Sequence, residues 1–225
     1  MDILNQLLEQ NSRWAQKLAE ENADFFPSLE KGQSPQVFMI GCSDSRVPIN
    51  QILNARPGDI FVHRNIANLV KSTDTNCLSA LQYAVESLRV QHIIICGHYD
   101  CGGVKAADNN SATGLVAEWV ADLKTTLAAH QHWLQAVPKE QRLNCLCELN
   151  VFQQVYNVSQ LDLIQDSWRS GNELHIHGWI FSLNNGRLFP AQEPLSQAQN
   201  AAERHERALL ALESKYCGVQ HISIQ

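Results

Sequence analysis

Three short apolar runs, each continuous and not alternating with polar residues, constrain the fold of this chain more than any other feature. They cover residues 36–40, 59–63 and 91–96. Continuous apolar runs of this length are typical of strands that are buried on both faces of a parallel sheet. Between the second and third runs, residues 77–88 carry apolar side chains at helical spacing. The sequence therefore predicts an α/β protein with a central, mostly parallel β-sheet flanked by helices.

The remaining segments are predicted to be mostly helical and to belong to one domain. The other predicted elements are helices at 2–22, 112–135, 148–170 and 196–215, a short helical stretch that ends at 30–32, a turn at 138–140, and strands at 173–182 and 220–224. A length of 225 residues with 44% hydrophobic residues suits one sizeable core, although the length alone allows two small domains. We predict an N-terminal helical arm at 1–34, a core at 35–190, and a C-terminal helix with an edge strand at 191–225.

Two of the apolar runs end at residues that bind metals. Cys42 follows the first run, and His98 and Cys101 follow the third run. Ligands bind outside the carboxyl ends of the strands in an open parallel sheet, where both of these loops are expected. Two thiolates and one imidazole are a preferred ligand set for zinc, and three protein ligands leave the fourth position open for chemistry. The pattern therefore predicts a zinc-binding core at 35–190.

A carboxylate and a guanidinium lie next to the first candidate ligand. Asp44 comes two residues after Cys42 and two residues before Arg46. The carboxylate can act as a fourth zinc ligand, which would close the site as in a structural zinc site. Alternatively it can pair with Arg46, whose planar guanidinium matches a carboxylate with two parallel hydrogen bonds. The spacing leaves both interpretations open.

Composition and cysteine usage narrow the function classes. Seven cysteines are an odd number, and the first residues lack the basic start and apolar run of a secretory signal. We therefore expect a reducing, cytoplasmic location, where a Cys/His set is more often a metal or catalytic site than a disulfide framework. The longest apolar runs are far shorter than the ~20 residues that span a bilayer, so no membrane partner is expected. A net charge of −6 with 17 Lys and Arg predicts no general attraction to nucleic acid.

Five short motifs make the chain resemble the β-class carbonic anhydrases, in particular the bacterial-type subgroup that has an aspartate-on-zinc closed state. The motifs are Cys-Ser-Asp-Ser-Arg at 42–46, His-Arg-Asn-Ile-Ala-Asn at 63–68, Gly-His-Tyr-Asp-Cys-Gly-Gly at 97–103, Glu-Leu-Asn-Val at 148–151 and His-Gly-Trp at 177–179. They occur in the order that the family has. The resemblance extends over most of the chain, up to the end of the predicted core.

The resemblance implies a cofactor, a reaction and an assembly. It implies one zinc ion per chain, bound by Cys42, His98 and Cys101. Asp44 and Arg46 would form the catalytic dyad, with Asp44 as a possible fourth ligand in the closed state. The implied reaction is the reversible hydration of carbon dioxide to bicarbonate and a proton by zinc-bound hydroxide, which forms because zinc lowers the pKa of water from about 15.7 to about 7. Family members are homodimers or homotetramers whose N-terminal helices pack on a neighbouring subunit.

Five further positions follow from the same resemblance. Gln33 and Tyr83 fall where the family places polar residues of the substrate pocket. The subgroup also has a second, regulatory bicarbonate pocket, built from a tryptophan, an arginine and a tyrosine. The corresponding positions here are Met39, Arg64 and Phe181. Because burying a small anion with too few donors is costly, we expect this pocket to be degenerate and closure of the aspartate to depend mainly on pH.

Two other functions are compatible with the same residues. A related hydrolase of carbon disulfide or carbonyl sulfide uses the same site and differs in substrate access, which one sequence does not reveal. A non-enzymatic zinc or redox sensor, in which Cys42 or Cys101 is oxidised, has no need of the Asp44–Arg46 pair. The intact pair therefore favours an enzyme over a sensor.

Two other pairs of possible ligands are interpreted as structural. Cys145 and Cys147 are separated by a single residue and have no histidine close by, so ordinary thiols are expected. His175 and His177 alternate on one face of a predicted strand, and the Gly-Trp sequence that follows favours a structural role.

Overall fold

The computed structural model describes residues 2–197 and 200–218, and it has the α/β architecture that the apolar runs predict. The strands are β1 Val37–Cys42, β2 Ile60–Asn65, β3 His92–His98, β4 His175–Ser182 and β5 Arg187–Pro190. They form one sheet in the order β2-β1-β3-β4-β5. The first four strands of that order are parallel, and β5 is antiparallel to β4. The central, mostly parallel sheet is confirmed.

Helices connect the strands and flank the sheet. In chain order they are α1 Ile3–Glu21, α2 Phe25–Glu30, α3 Ile49–Ile52, α4 Thr75–Gln82, α5 Gly102–Asp108, α6 Gly114–Trp119, α7 Ala121–Ala129, α8 Gln131–Leu134, α9 Lys139–Ser159, α10 Asp162–Arg169 and α11 Ala201–Cys217. A π-helical turn at Tyr83–Ser87 continues α4, and a 3₁₀ turn at Ile66–Asn68 follows β2. None of the helices in the described residues combines the length and hydropathy that a membrane crossing requires.

Several predicted boundaries differ from the structure. The long helix α9 begins directly after Pro138, where the sequence predicts a turn. Proline has a fixed φ and no N–H group, so it is well suited to a helix start. The predicted helix at 148–170 is interrupted at residues 160–161, and the one at 112–135 is divided into α6, α7 and α8. Strand β5 was not predicted, and the predicted edge strand at 220–224 lies outside the described residues.

Helix α9 packs tightly against the sheet and forms the main core with it. A Cβ atom on Gly97 of β3 would lie 2.5 Å from Val151 Cγ2, and one on Gly178 of β4 would lie 2.9 Å from Val151 Cγ1. Only glycine leaves room for a helix at this distance. On the opposite face of the sheet, a smaller apolar cluster contains Met39 and Phe181. The close packing of α9 fixes the end of β3, where His98 follows Gly97.

The N-terminal helix α1 has an apolar stripe that the rest of its own chain leaves exposed. No residue of α1 is buried, and Ile3, Leu4, Leu7 and Leu8 are 54–67% exposed. Helix α1 contacts α2, where the rings of Trp14 and Phe26 meet edge to face with centroids 5.8 Å apart. The packing of this arm on a neighbouring subunit stays a prediction.

Candidate metal centre

The three candidate ligands converge at the carboxyl end of the sheet. Cys42 is the last residue of β1, His98 is the last residue of β3, and Cys101 immediately precedes α5. Their donor atoms all lie within 4.8 Å of one another, and the two sulfur atoms are 3.8 Å apart. The three residues are 0–5% exposed. The fold thus brings together the ligand set that the sequence predicts, in a site shielded from solvent.

The orientation of His98 suits a metal ligand. Its Nδ1 lies 2.9 Å from the carbonyl oxygen of Tyr99, to which it donates when Nδ1 carries the proton. This contact leaves the lone pair on Nε2, which is buried and has no hydrogen-bond partner of normal geometry among the described residues. A carbonyl on the far nitrogen of a ligating histidine is the usual way to fix its ring and tautomer. The residues present therefore fit zinc.

The electrostatics of the cluster favour a thiolate at Cys42. Interaction with the Cys101 thiol lowers the pKa of Cys42, with His98 acting in the same direction, although burial opposes the shift. The same contact with Cys42 and burial raise the pKa of Cys101. Burial disfavours the charged form of His98, but its contact with Cys42 raises the pKa of the imidazole overall. Thiolates are the form in which cysteine binds metals.

Asp44 and Arg46 form a close ion pair beside this cluster. Arg46 donates from Nε to Asp44 Oδ1 at 3.0 Å and from Nη2 to Oδ2 at 2.8 Å, and its backbone N–H donates to Oδ1 at 2.9 Å. These hydrogen bonds lower the pKa of Asp44 to about 2. Asp44 Oδ2 is also 3.8 Å from His98 Nε2. The carboxylate therefore lies next to the ligand set while it is held by the guanidinium.

The guanidinium of Arg46 has a second acidic neighbour that the sequence analysis did not identify. Its Nη1 lies 3.2 Å from Asp100 Oδ2, and its Nη2 lies 3.3 Å from the carbonyl oxygen of Asp100. Asp100 belongs to the turn between His98 and Cys101. The position of Asp100 between two candidate ligands marks it as a residue of the site, but the sequence does not show that its carboxylate contacts Arg46.

Of the three residues predicted to form a degenerate bicarbonate pocket, Arg64 contacts the site directly. Arg64 donates from Nε to the carbonyl oxygen of Cys42 at 2.8 Å and from Nη2 to that of Asp44 at 2.6 Å. Met39 is fully buried and Phe181 is 5% exposed, and both belong to the smaller apolar cluster. Two of the five N–H donors of Arg64 thus bind the backbone of the site. Neither neighbouring side chain offers a strong donor.

The two predicted substrate-pocket residues are not joined to the dyad in the single chain. Tyr83 is 49% exposed and packs on Phe61 with ring centroids 5.8 Å apart. Gln33 is exposed in the segment before β1. Among the described residues no hydrogen bond connects either side chain to Asp44 or Arg46. Their role in substrate binding stays a prediction.

A buried carboxylate network lies behind the site. Glu148 on α9 accepts hydrogen bonds from the hydroxyls of Tyr99 and Tyr216, both at 2.7 Å, and from Lys215 Nζ at 2.8 and 2.7 Å. Tyr99 is the residue whose carbonyl meets His98. Glu148 belongs to the Glu-Leu-Asn-Val motif at 148–151, which by itself indicates no role for the carboxylate. An acidic residue among the apolar residues of this helix could have indicated a buried carboxylate with a partner.

The other cysteines and histidines fit structural roles. Burial raises the pKa of Cys145 and of Cys147 to about 12, as expected of ordinary core thiols. His177 lies with its Nε2 3.2 Å from His92 Nδ1, and burial lowers its pKa to about 4. The two neutral imidazoles thus hydrogen-bond to each other.

A second group of possible ligands joins β2 to α4. The donor atoms of His63, Asp74 and Cys77 lie within 4.8 Å of one another. However, Asp74 caps α4 by accepting from the backbone N–H of Asn76, and burial raises the pKa of Cys77 to about 12. The Asp74 carboxylate is therefore already engaged as the helix cap, and Cys77 is fully buried in the main core. We therefore interpret this group as a helix cap with core packing.

Comparison with known proteins gives consistent matches. The carbonic anhydrase family model matches residues 37–188. A carbonic anhydrase of Emericella nidulans is 39% identical over 185 residues, which cover 82% of this chain and 81% of that protein. One of Saccharomyces cerevisiae is 30% identical over 194 residues, which cover 82% of this chain and 87% of that protein.

Solved structures extend the match to the fold. A tetrameric β-carbonic anhydrase of Sordaria macrospora has a TM-score of 0.82 at 36% identity, covering 86% of this chain and 98% of that one. The Coccomyxa β-carbonic anhydrase in complex with acetazolamide has a TM-score of 0.86 at 32% identity, covering 95% of this chain and 99% of that one. The similarity therefore includes the sheet and the loops that carry the candidate ligands.

Proposed function

The chain belongs to the β-class carbonic anhydrases, and we propose that its active site is the cluster of Cys42, His98 and Cys101 with one zinc ion per chain. The observation that carries this proposal is the buried set of two sulfurs and one free imidazole nitrogen, with an ion-paired carboxylate beside it. The proposed reaction is the reversible hydration of carbon dioxide to bicarbonate and a proton. When bound, zinc supplies hydroxide near neutral pH by lowering the pKa of water from about 15.7 to about 7.

The residues of the chain orient the reactants. Asp44 is held ionised by Arg46, so it can accept a hydrogen bond from the attacking oxygen but cannot donate one. Accepting that hydrogen bond turns a lone pair of the oxygen away from Asp44 and toward the carbon of carbon dioxide. Arg46 holds the carboxylate with two parallel hydrogen bonds, a geometry that restrains rotation of both groups. We assign Asp44 and Arg46 as the catalytic dyad on this basis.

We further propose that this enzyme lacks strong regulation by bicarbonate. Arg64 remains to balance the charge of the anion, but two of its donors already bind the carbonyl groups of Cys42 and Asp44. Met39 and Phe181 add no strong donor. With zinc bound, movement of Asp44 toward the metal would then be governed mainly by pH, because water would compete with the carboxylate less well than hydroxide would.

We propose a homodimer or homotetramer as the working assembly. The exposed apolar stripe of α1 is a suitable surface for a second copy of the chain. The Sordaria macrospora relatives are tetramers, which supports the same kind of assembly here. We place the protein in the cytoplasm, a reducing compartment in which the two thiolates of the site stay available for metal.

The proposal is tested by measuring the zinc content and the rate of carbon dioxide hydration of the purified protein. We expect close to one zinc per chain, and Cys101→Ser should lose zinc and activity together, because Asp44 is the one further carboxylate among the described residues that lies beside the ligand set. Cys217→Ser is the matched control, since its half-buried thiol donates to the carbonyl oxygen of Trp133 on α8 and does not belong to the ligand cluster. Full zinc content with normal activity in Cys101→Ser would contradict the ligand assignment.

The same preparation separates the enzyme from its alternatives. Carbon disulfide should be hydrolysed far more slowly than carbon dioxide is hydrated if the enzyme is a carbonic anhydrase. Arg46→Ala should retain zinc but lose hydration, because Asp44 is then free to move onto the metal. A zinc or redox sensor would bind zinc equally well and show no hydration in the unmodified protein.

A further inference from the structure

Arg46 is bound from two sides, and the second side has no assigned role. Asp44 binds one edge of its guanidinium, and Asp100 binds another. We propose that Asp100 is a positioning residue, which anchors Arg46 so that Arg46 keeps Asp44 away from the metal position. This inference rests on the proposed function of the site, because it concerns the equilibrium of Asp44 between Arg46 and the fourth ligand position.

The two carboxylates do not compete for the same N–H groups. Asp44 accepts from Nε and from one hydrogen of Nη2. Asp100 accepts from Nη1 through Oδ2 at 3.2 Å, and its carbonyl oxygen accepts from Nη2 at 3.3 Å. A guanidinium has five N–H donors, and these contacts engage four of them. Asp100 therefore adds to the hold on Arg46 and takes no donor from Asp44.

The backbone of Asp100 is shaped for this contact. Its φ is +57°, in the left-handed region that favours glycine, asparagine and aspartate. The residue lies in the short turn between two ligands, His98 and Cys101, both of which are buried. A turn fixed at both ends directs the carboxylate and the carbonyl oxygen of Asp100 toward the same guanidinium.

Arg46 needs an anchor because water competes for it. Its side chain is 50% exposed, and exposed ion pairs are weak when they act alone. Asp44 Oδ2 is 3.8 Å from His98 Nε2, so a carboxylate released by Arg46 is already beside the ligand set. Each contact that restrains Arg46 therefore lowers the population in which Asp44 occupies the fourth position.

Removing the Asp100 carboxylate has two effects of opposite sign on anion binding. Loss of a negative charge near the site, taken alone, strengthens the binding of an anion at the fourth position. Release of Arg46, and with it of Asp44, weakens that binding, because the apparent dissociation constant rises as the open fraction falls. The direction of the change thus distinguishes an anchor from a simple surface charge.

The experiment uses the full-length protein loaded with cobalt(II), with azide as the probe. The thiolate-to-cobalt charge-transfer absorption reports whether the cysteines bind the metal. An azide titration at one fixed pH reports access to the fourth ligand position. Asp100→Gly keeps the left-handed backbone and the carbonyl oxygen but removes the side chain. We expect azide to bind about two- to fivefold more weakly, the range set by an exposed ion pair.

Two further variants make the result specific. Asp100→Asn keeps an acceptor oxygen and a tolerated backbone, so its azide affinity should lie closer to wild type than that of Asp100→Gly. Asp122→Asn removes the same charge from an exposed pair with Lys71, and it should bind azide as wild type does. Unchanged or tighter azide binding in Asp100→Gly overturns the anchor. Absence of the thiolate absorption in the wild-type protein overturns the metal centre itself, and the anchor with it.

Discussion

Lys215 is the counterion of the buried Glu148 carboxylate, and replacing Lys215 should lower the stability of the protein. The Glu148 side chain is 5% exposed, and Lys215 Nζ lies 2.7 Å from its Oε2. Lys215→Met keeps the apolar stem of the side chain and removes the ammonium group. Among the described residues, the carboxylate is then left in the core with the hydroxyls of Tyr99 and Tyr216 as its side-chain donors.

The expected loss of stability follows from the burial of the two partners. Breaking a fully buried ion pair costs about 3–5 kcal/mol, because the remaining charge has lost its water. The Lys215 side chain is 55% exposed, so water can reach the vacated side of the carboxylate. We therefore expect Lys215→Met to lower the free energy of unfolding by about 1–3 kcal/mol. For a chain of 225 residues this lowers the melting temperature by about 2–12 °C.

A double-mutant cycle with Glu148→Ala measures the coupling energy between Lys215 and Glu148. Without the carboxylate, Lys215→Met should cost less than about 0.5 kcal/mol, as an ordinary surface change does. Urea unfolding of the four proteins should be compared at one protomer concentration with saturating metal, since assembly and metal both shift apparent stability. Equal losses from Lys215→Met in both backgrounds would show that the pair is not coupled. Arg207→Met, which breaks an exposed pair on the same helix, is the control and should cost less than about 0.5 kcal/mol.

Three shorter predictions concern the site and the assembly. Asp44→Asn should keep zinc but lose about 10²-fold or more in hydration rate, because the amide can present a donor where an acceptor is needed; wild-type turnover in stopped-flow assays would exclude the dyad role. Restoring donors with Met39→Trp and Phe181→Tyr should create inhibition by bicarbonate, and unchanged inhibition curves would show that these positions do not form the pocket. Deleting residues 2–22 should shift sedimentation to smaller species, and an unchanged number of subunits would assign the assembly to another surface.

The sheet and the ligand set could be predicted from the sequence because both depend on local patterns. A continuous apolar run such as 91–96 identifies a buried strand, and the residue that follows it lies at the carboxyl end by definition. Cys42 and His98 each follow such a run, so their convergence needed only the general rule that parallel strands place their carboxyl ends together. The structure confirms the strands and brings these residues within reach of one metal ion.

Strand β5 and the start of α9 were missed for different physical reasons. Strand β5 has only four residues, three of them exposed, and it forms because β4 offers an unpaired edge at the right distance. No local apolar pattern predicts such a strand. Pro138 by itself predicts a turn, but its fixed φ is also compatible with a helix start, and α9 begins at Lys139 because its later side chains are buried in the core.

The ligands and the dyad could be identified from the sequence, since Cys42, Asp44 and Arg46 are local neighbours and His98 and Cys101 follow another strand. The sequence left open whether Asp44 closes the ligand set or pairs with Arg46, because a spacing of two residues allows both. In the tertiary structure Asp44 pairs with Arg46, whose guanidinium is also held by Asp100, 54 residues further along the chain. That choice required the folded structure because the direction of a flexible arginine depends on which distant groups surround it.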